Sequence, residues 1–182
     1  NSNAAVDYSI GSIHYCNYKG HCYCIDYSAE KQKESISCFS SEKDYILRFY
    51  EEVVRFAYTS DYDIVGHFDL ISKFSENGGL DPSSAPAYRK IAAEALDAVA
   101  ATGKIFEVNT GAMARGYRTK PYPADFLLRQ LKDLGAHLIL TSDCHNKDFL
   151  TFGFEESENM LRGIGFRELY ELTDNGFLPY RI

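Results

Sequence analysis

The sequence has 182 residues, enough for one domain with a sizeable core, and its apolar (45%) and charged (25%) fractions are ordinary for a globular protein. The net charge of −7 disfavours a nucleic-acid binder, because an acidic surface repels phosphates. No apolar run approaches the roughly 18–20 residues that a membrane helix needs, so we expect no membrane contact.

Short apolar runs alternate with helical patterns along the chain. Residues 1–4 are interpreted as a cloning remnant, residues 5–182 as a single domain, and residues 16–40 as a long irregular loop. Strands are predicted at residues 8–14, 62–67, 104–109, 137–141 and 168–172. Helices are predicted at residues 41–58, 83–102, 124–134 and 154–163. This rhythm indicates an α/β fold with a parallel sheet, either open or part of a (β/α) barrel.

Four of these strands end in two polar residues separated by one position. The pairs are Ser12/His14, His67/Asp69, Glu107/Asn109 and Asp143/His145. Residues two apart on a strand point to the same side. Because the carboxyl ends of parallel strands carry the active site in α/β folds, we expect the pairs to meet at one edge of the sheet.

The chemistry of these pairs predicts a metal site. Imidazole and carboxylate groups together favour divalent metals such as Zn, Mn or Fe. Such a site deprotonates water near neutral pH and neutralises phosphate oxygens. The alternative for any one strand-end histidine is a hydrogen-bonded structural role. The residues alone therefore predict a metal-dependent hydrolase that acts on a phosphate.

The other histidines and cysteines are interpreted as structural. His137 begins its strand, at the end opposite the predicted site. Cys22 and Cys24 lack the paired CxxC spacing of structural zinc sites. Cys144 lies between two expected ligands and is not expected to act as a nucleophile. Since no secretion signal is recognised, we expect a cytoplasmic protein with reduced thiols.

The loop at residues 110–123 follows the third predicted strand and contains two arginines and a lysine. In the predicted fold these cations lie beside the predicted metal site. Arg115 and Arg118 are candidates for binding a phosphate, because a guanidinium donates two parallel hydrogen bonds to it. Tyr117 and Tyr122 are candidates for stacking on a small ring. The alternative is a solvated surface loop with aromatic anchors.

Taken in order, these motifs resemble the polymerase and histidinol phosphatase (PHP) family and, within it, the histidinol-phosphate phosphatases. The similarity runs over nearly the whole chain from Asp7 and depends on an ordered set of motifs. The motifs are Gly11-Ser12-Ile13-His14, Gly66-His67-Phe68-Asp69, Glu107-Val108-Asn109-Thr110 and Ser142-Asp143-Cys144-His145. The resemblance implies a distorted TIM-like barrel of βα units with up to three divalent metals.

The resemblance also implies roles for individual residues. The implied metal ligands are His14, His67, Asp143 and His145, and the last three are the implied catalytic residues. The implied substrate contacts are Arg115 or Arg118 on the phosphate, with Glu107 and Asn109 as substrate contacts or as supports of the ligands. Asp69 either orients His67 or supports the site.

The sequence departs from the family because it lacks the N-terminal His-x-His motif, a further histidine and a Gly-x-Glu segment. We therefore expect the C-terminal part of a truncated barrel, with fewer than three metals. Open edges of such a barrel predict self-association as a homo-oligomer.

The implied activity is hydrolysis of L-histidinol phosphate, a small phosphorylated substrate, in histidine biosynthesis. The alternatives are a PHP-type phosphoesterase acting on nucleotides or sugar phosphates, an amidohydrolase-like barrel, and an inactive fragment or interaction domain.

Overall fold

A computed structural model describes residues 6–82 and 84–182 and has an α/β fold with a mainly parallel sheet. The predicted remnant at residues 1–4 and the predicted helix start at Ser83 lie outside the described residues. Six strands form the main sheet in the order β1-β4-β5-β6-β7-β8. Their bounds are Ile10–Gly11 (β1), Ile64–Val65 (β4), Ile105–Asn109 (β5), Leu138–Thr141 (β6), Glu168–Thr173 (β7) and Gly176–Arg181 (β8).

The five predicted strands are present and pair in parallel, whereas β8 was not predicted. β8 returns antiparallel to β7 through a two-residue turn, Asp174 and Asn175, which precedes Gly176. Pro179 and the absence of a clean apolar alternation hide this strand in the sequence. A proline is tolerated there because β8 ends the sheet within the described residues.

Four helices connect the strands close to the predicted positions. They are α2 (Glu42–Thr59), α3 (Pro86–Ala100), α5 (Asp125–Asp133) and α6 (Phe154–Ile164). The hydroxyl of Ser41 caps α2 by accepting from the backbone N–H of Asp44, at 3.1 Å. α2 packs on α3, α3 on α5 and α5 on α6, as expected for successive βα units. None of the helices in the described ranges is long and apolar enough to cross a membrane.

The prediction of an irregular loop at residues 16–40 was wrong. The segment carries a hairpin and a helix, with bounds Tyr15–Tyr18 (β2), His21–Cys24 (β3) and Ala29–Ser37 (α1). Lys19 and Gly20 both have positive φ, 48° and 80°, which suits a tight hairpin turn. Cys16 alternates into the core, and Ser28 caps α1. β3 is only partly buried and begins with two exposed residues, so its sequence does not show the alternation of a half-buried strand.

Two glycines allow β1 and β4 to approach closely beside the site. A Cβ on Gly66 would overlap Oγ of Ser12, and a Cβ on Gly11 would lie 2.6 Å from the ring of Tyr62. Each of these two-residue strands leads within a few residues to a histidine of the predicted site, His14 or His67. α4, the short helix Gly111–Ala114, begins the loop after β5.

Candidate active site

The four predicted metal ligands lie around one open cavity of about 900 Å³. The cavity is at the carboxyl ends of the strands, which is the edge predicted from the sequence. Ten of the predicted strand-end and loop residues line it: Ser12, His14, His67, Glu107, Asn109, Arg115, Tyr117, Tyr122, Asp143 and His145.

Asp69 does not line this cavity, so the expectation that it faces the same way as His67 was wrong. The strand ends at Val65, and the chain then turns into a 3₁₀ helix at Leu70–Ser72, where the period-two rule no longer applies. The Asp69 carboxylate is fully buried and accepts from the backbone N–H of Ala124 at 3.1 Å.

Arg118 also lies behind the cavity wall. Its guanidinium donates to the hydroxyl of Ser72, lies 4.0 Å from Oδ2 of Asp69, and stacks 4.4 Å from the ring centre of Tyr122. Arg118 is buried in this position and braces the loop against the turn after β4. Arg118 is therefore not placed to bind a phosphate in the cavity. Arg115 lines the cavity and is the better candidate of the two predicted arginines.

Glu107 connects three neighbouring strands at the back of the cavity. Its Oε2 accepts from the backbone N–H of His67 at 2.6 Å and from Nδ2 of Asn109 at 3.0 Å, and its Oε1 accepts from the Thr141 hydroxyl at 2.6 Å. Oδ1 of Asn109 accepts from the backbone N–H of Gly111 at 2.8 Å. These hydrogen bonds occupy the polar atoms of both side chains and favour the role as supports of the ligands over the role as substrate contacts.

His67 is the most deeply buried of the predicted ligands. Its Nδ1 has no hydrogen-bond partner among the described residues. Its ring lies edge-on to that of His14, with 4.9 Å between centroids. Burial lowers the pKa of His67, the nearby His14 lowers it further, and the carboxylates of Glu107 and Asp143 only partly oppose this. The neutral imidazole that results is the form that binds a metal.

Asp143 and His145 lie on the loop after β6 and contact Arg115. Arg115 donates to Oδ2 of Asp143 at 3.2 Å and to Nδ1 of His145 at 2.9 Å. Asp143 has a positive φ of 43°, which is uncommon outside glycine. Gly111 permits the contact between the two loops, since a Cβ there would lie 2.9 Å from the carbonyl oxygen of Ser142 and 3.0 Å from Cβ of Asp143.

Two charged residues of the cavity wall, Asp26 and Lys73, were missed in the sequence. Asp26 lies in the segment taken for a loop, and Lys73 follows the 3₁₀ helix. A signal for Asp26 was present, because it follows β3 by two residues, just as the other site residues follow their strands. Its Oδ2 lies 3.3 Å from Nδ1 of His14 and 3.4 Å from Nζ of Lys73.

The ligand types fit a divalent metal, but their side chains do not converge. In the described part of the chain, no three His, Cys, Asp or Glu side chains stand together so that they could hold one ion. Asp143 and His145 contact Arg115 instead, and His14 contacts Asp26. Metal binding would require the side chains of Asp143 and His145 to turn from Arg115 toward the unpaired Nδ1 of His67.

Of the residues interpreted as structural, His137 lies outside the cavity, whereas Cys144 lines it between the two predicted ligands. His137 stacks on Tyr170 with 4.3 Å between ring centroids and does not line the cavity. All five cysteines are free, and Sγ of Cys144 donates to the carbonyl oxygen of Asn146 at 2.7 Å.

The fold and the site define an α/β protein with a cavity of histidines, carboxylates and an arginine at the carboxyl ends of its strands. No protein-family model matches the sequence. The chain is 32% identical over 161 residues to a probable histidinol-phosphatase of Deinococcus radiodurans, covering 88% of this chain and 56% of that protein. The chain spans about half the length of the curated relatives it matches.

Solved structures show the same fold. A Listeria monocytogenes protein provisionally named histidinol phosphatase superimposes with a TM-score of 0.70 at 19% identity, over 81% of this chain and 56% of that one. The Lactococcus lactis histidinol phosphate phosphatase was solved with zinc, L-histidinol and phosphate. It superimposes with a TM-score of 0.60 at 23% identity, over 97% of this chain and 63% of that one. These matches confirm the predicted fold class, a partial TIM-like barrel with mainly parallel strands. The chain is similar in sequence to curated proteins named histidinol-phosphatase or probable histidinol-phosphatase.

Proposed function

We propose that the protein containing this chain hydrolyses a phosphomonoester with divalent metal ions, and that its substrate is L-histidinol phosphate. The observation that carries the proposal is the single cavity in which imidazole and carboxylate groups lie beside the Arg115 guanidinium. The names of the curated relatives, and the ligands of the Lactococcus lactis enzyme, support the choice of substrate. In this proposal residues 5–182 form part of one such domain in a cytoplasmic enzyme of histidine biosynthesis.

The proposed metal ligands are His14, His67, Asp143 and His145, for ions such as Zn, Mn or Fe. When bound, such ions lower the pKa of water and neutralise phosphate oxygens. The rigid Glu107 network would hold the backbone that carries His67 in place throughout the reaction.

Arg115 is the proposed phosphate-binding residue. It lines the cavity and lies within hydrogen-bond distance of Asp143 and His145, so its fork would bind phosphate oxygens next to the ligands. With its carboxylate on an ion, Asp143 would no longer hold Arg115, and the guanidinium of Arg115 would be available to the substrate phosphate. A histidine of the cavity or a water molecule would protonate the departing alkoxide.

The cavity also suits a small substrate. A volume of about 900 Å³ lies within the usual range for small-molecule sites. Tyr117 is partly exposed in the wall and is the candidate for stacking on an aromatic ring of the substrate. Tyr122 is buried against Arg118 and acts as an anchor of the loop.

The test is phosphate release from L-histidinol phosphate with added Mn²⁺ or Zn²⁺. His145→Ala is the site variant, and His137→Ala, far from the cavity, is the matched control. We expect metal-dependent release that His145→Ala abolishes and His137→Ala retains. Since the chain spans about half of its relatives, the assay is repeated with the longer protein. Absence of release in both would overturn the proposal. Faster turnover of a nucleotide, a sugar phosphate or an amide would overturn the choice of substrate.

Self-association is a separate part of the proposal. β1 and β8 end the main sheet within the described residues, and Tyr8, Ile10, Leu172 and Leu178 are exposed near these edges. Unpaired strand edges with apolar side chains favour pairing with a second copy. We expect sedimentation of the purified chain to show a dimer or larger species, and a clean monomer would contradict this.

A further inference from the structure

Asp26 and Lys73 form a charged pair in the cavity wall beside His14. Oδ2 of Asp26 is 3.3 Å from Nδ1 of His14 and 3.4 Å from Nζ of Lys73. Lys73 also donates to the backbone carbonyl oxygen of Asp26 at 2.9 Å, so it holds both the main chain and the side chain of that residue. On the other oxygen, Oδ1, the carboxylate accepts a weak hydrogen bond from Sγ of Cys24 at 3.7 Å.

The surroundings keep Asp26 ionised. The ammonium group of Lys73 lies 3.4 Å from Oδ2 and also donates to the main chain of Asp26, and a positive charge at this distance favours the carboxylate form. An ionised carboxylate only accepts hydrogen bonds. A neutral His14 facing it must therefore carry its proton on Nδ1, which leaves the lone pair of Nε2 free.

We propose that Asp26, anchored by Lys73, is a positioning residue that fixes the ring orientation and the tautomer of His14. The carboxylate holds Nδ1 on one side, and the edge-on contact with the His67 ring, at 4.9 Å, restricts the imidazole on the other. The functional consequence rests on the proposed metal role of His14. Carboxylates that hold a ligating imidazole in this way raise metal affinity by about 10–100-fold.

The first test needs no metal. Long-range ¹H–¹⁵N spectra of the metal-free chain, at mildly alkaline pH, report which nitrogen of each neutral imidazole carries the proton, and His14→Ala assigns the signal. We expect His14 to be protonated on Nδ1 in the unmodified chain and to lose that preference in Asp26→Ala. Asp26→Asn, which keeps the shape, should show a smaller loss, so a folding defect in the alanine variant does not prevent a decision.

The matched control is Glu34→Gln, which removes an exposed carboxylate from α1 that pairs with Lys31. It should leave the His14 signal unchanged. A His14 ring protonated on Nε2 in the unmodified chain, or a signal that neither Asp26 variant alters, would overturn the inference.

The second test is a double-mutant cycle on Zn²⁺ affinity, measured by calorimetry. Asp26→Ala should weaken Zn²⁺ binding about tenfold or more. Adding Asp26→Ala to His14→Ala should change affinity by no more than about twofold, because Asp26 acts through His14. If Asp26→Ala weakened Zn²⁺ binding equally in the presence and in the absence of His14, Asp26 would not act through His14. If the chain binds no Zn²⁺ and the longer protein releases no phosphate, the proposed function fails, while the tautomer spectra still decide the role of Asp26.

Discussion

The two halves of the cavity are held by the protein in different ways. The inner half comprises His67, Glu107 and Asn109, whose exposed fractions are 7%, 3% and 1%. The outer half comprises Asp143, His145 and Arg115, whose side chains are 35%, 70% and 32% exposed. Inner-half residues lie on or directly after the central strands β4 and β5, whereas outer-half residues lie on loops.

This difference separates stability from chemistry. Glu107 binds groups from three strands, so the inner half is part of what holds the sheet together. Outer-half side chains mainly contact one another, and their rearrangement disturbs little else. We therefore expect inner-half substitutions to reduce both stability and activity, and outer-half substitutions to reduce activity alone.

The largest effect on stability is expected for Glu107→Ala. The substitution leaves the backbone N–H of His67 and the amide of Asn109 buried without their acceptor. We expect the free energy of unfolding to fall by about 3 kcal/mol, measured by urea denaturation. Glu168→Ala, on an exposed position of β7, is the control and should change it by less than about 0.5 kcal/mol. A loss below about 1 kcal/mol for Glu107→Ala would show that the inner half is not a structural centre.

Asp143→Asn should separate activity from stability. Asparagine tolerates the positive φ of this position, but its neutral amide is a poor metal ligand and a weak partner for Arg115. We expect phosphate release to fall about 100-fold while the free energy of unfolding stays within about 0.5 kcal/mol. Asp174→Asn, in the exposed turn after β7, should retain full activity. If Asp143→Asn unfolded the protein, the outer half would determine stability as the inner half does, and the expected difference between the two halves would be wrong.

Gly111→Ala tests how the loops of the outer half approach each other. Its Cβ would press on the Ser142 carbonyl oxygen and on Asp143, so the free energy of unfolding should fall by about 1–3 kcal/mol and Arg115 should lose its partner. Gly163→Ala is the matched control, because a Cβ there meets nothing within 4 Å in helix α6. It should raise the free energy of unfolding by up to about 1 kcal/mol. If both substitutions changed the free energy of unfolding equally, the two loops would not be packed closely at Gly111.

The smallest changes are expected for lysine in place of the two arginines. Arg115→Lys loses the fork at the cavity and should raise KM by about tenfold at unchanged stability. Arg118→Lys loses the contacts with Tyr122 and Ser72 behind the wall, so it should lower the free energy of unfolding by about 1 kcal/mol with KM unchanged. If Arg118→Lys raised KM and Arg115→Lys did not, Arg118 would be the phosphate-binding residue.

The alternation of strands and helices was predictable, because β4, β5 and β6 lie in short, mainly apolar runs and the helices between them carry clear end signals. The β2–β3 hairpin and β8 were missed, because β2 is only four residues long and β3 and β8 are largely exposed and lack a clean alternation. Sequence patterns favour elements that bury a whole face, so partly buried elements at the margins of a fold escape them.

The strand-end rule predicted that these polar residues lie around one cavity at the carboxyl ends of the strands, and most of them do, because the rule depends only on parallel pairing. It failed for Asp69, where the strand had already ended, and it missed Asp26, whose strand was not recognised. The choice between Arg115 and Arg118 was also beyond the sequence. Both lie in one loop, and only the packing of Arg118 on Tyr122 separates them.

The central claim is that side chains of both halves meet on a divalent metal, and anomalous X-ray diffraction from crystals of this chain grown with Zn²⁺ tests it most directly. We predict an anomalous peak in the cavity about 2.0–2.2 Å from donor atoms of His67 and Asp143, with Arg115 turned away from the carboxylate. A cavity without a peak, with Asp143 still bound to Arg115 at saturating Zn²⁺, would contradict the claim.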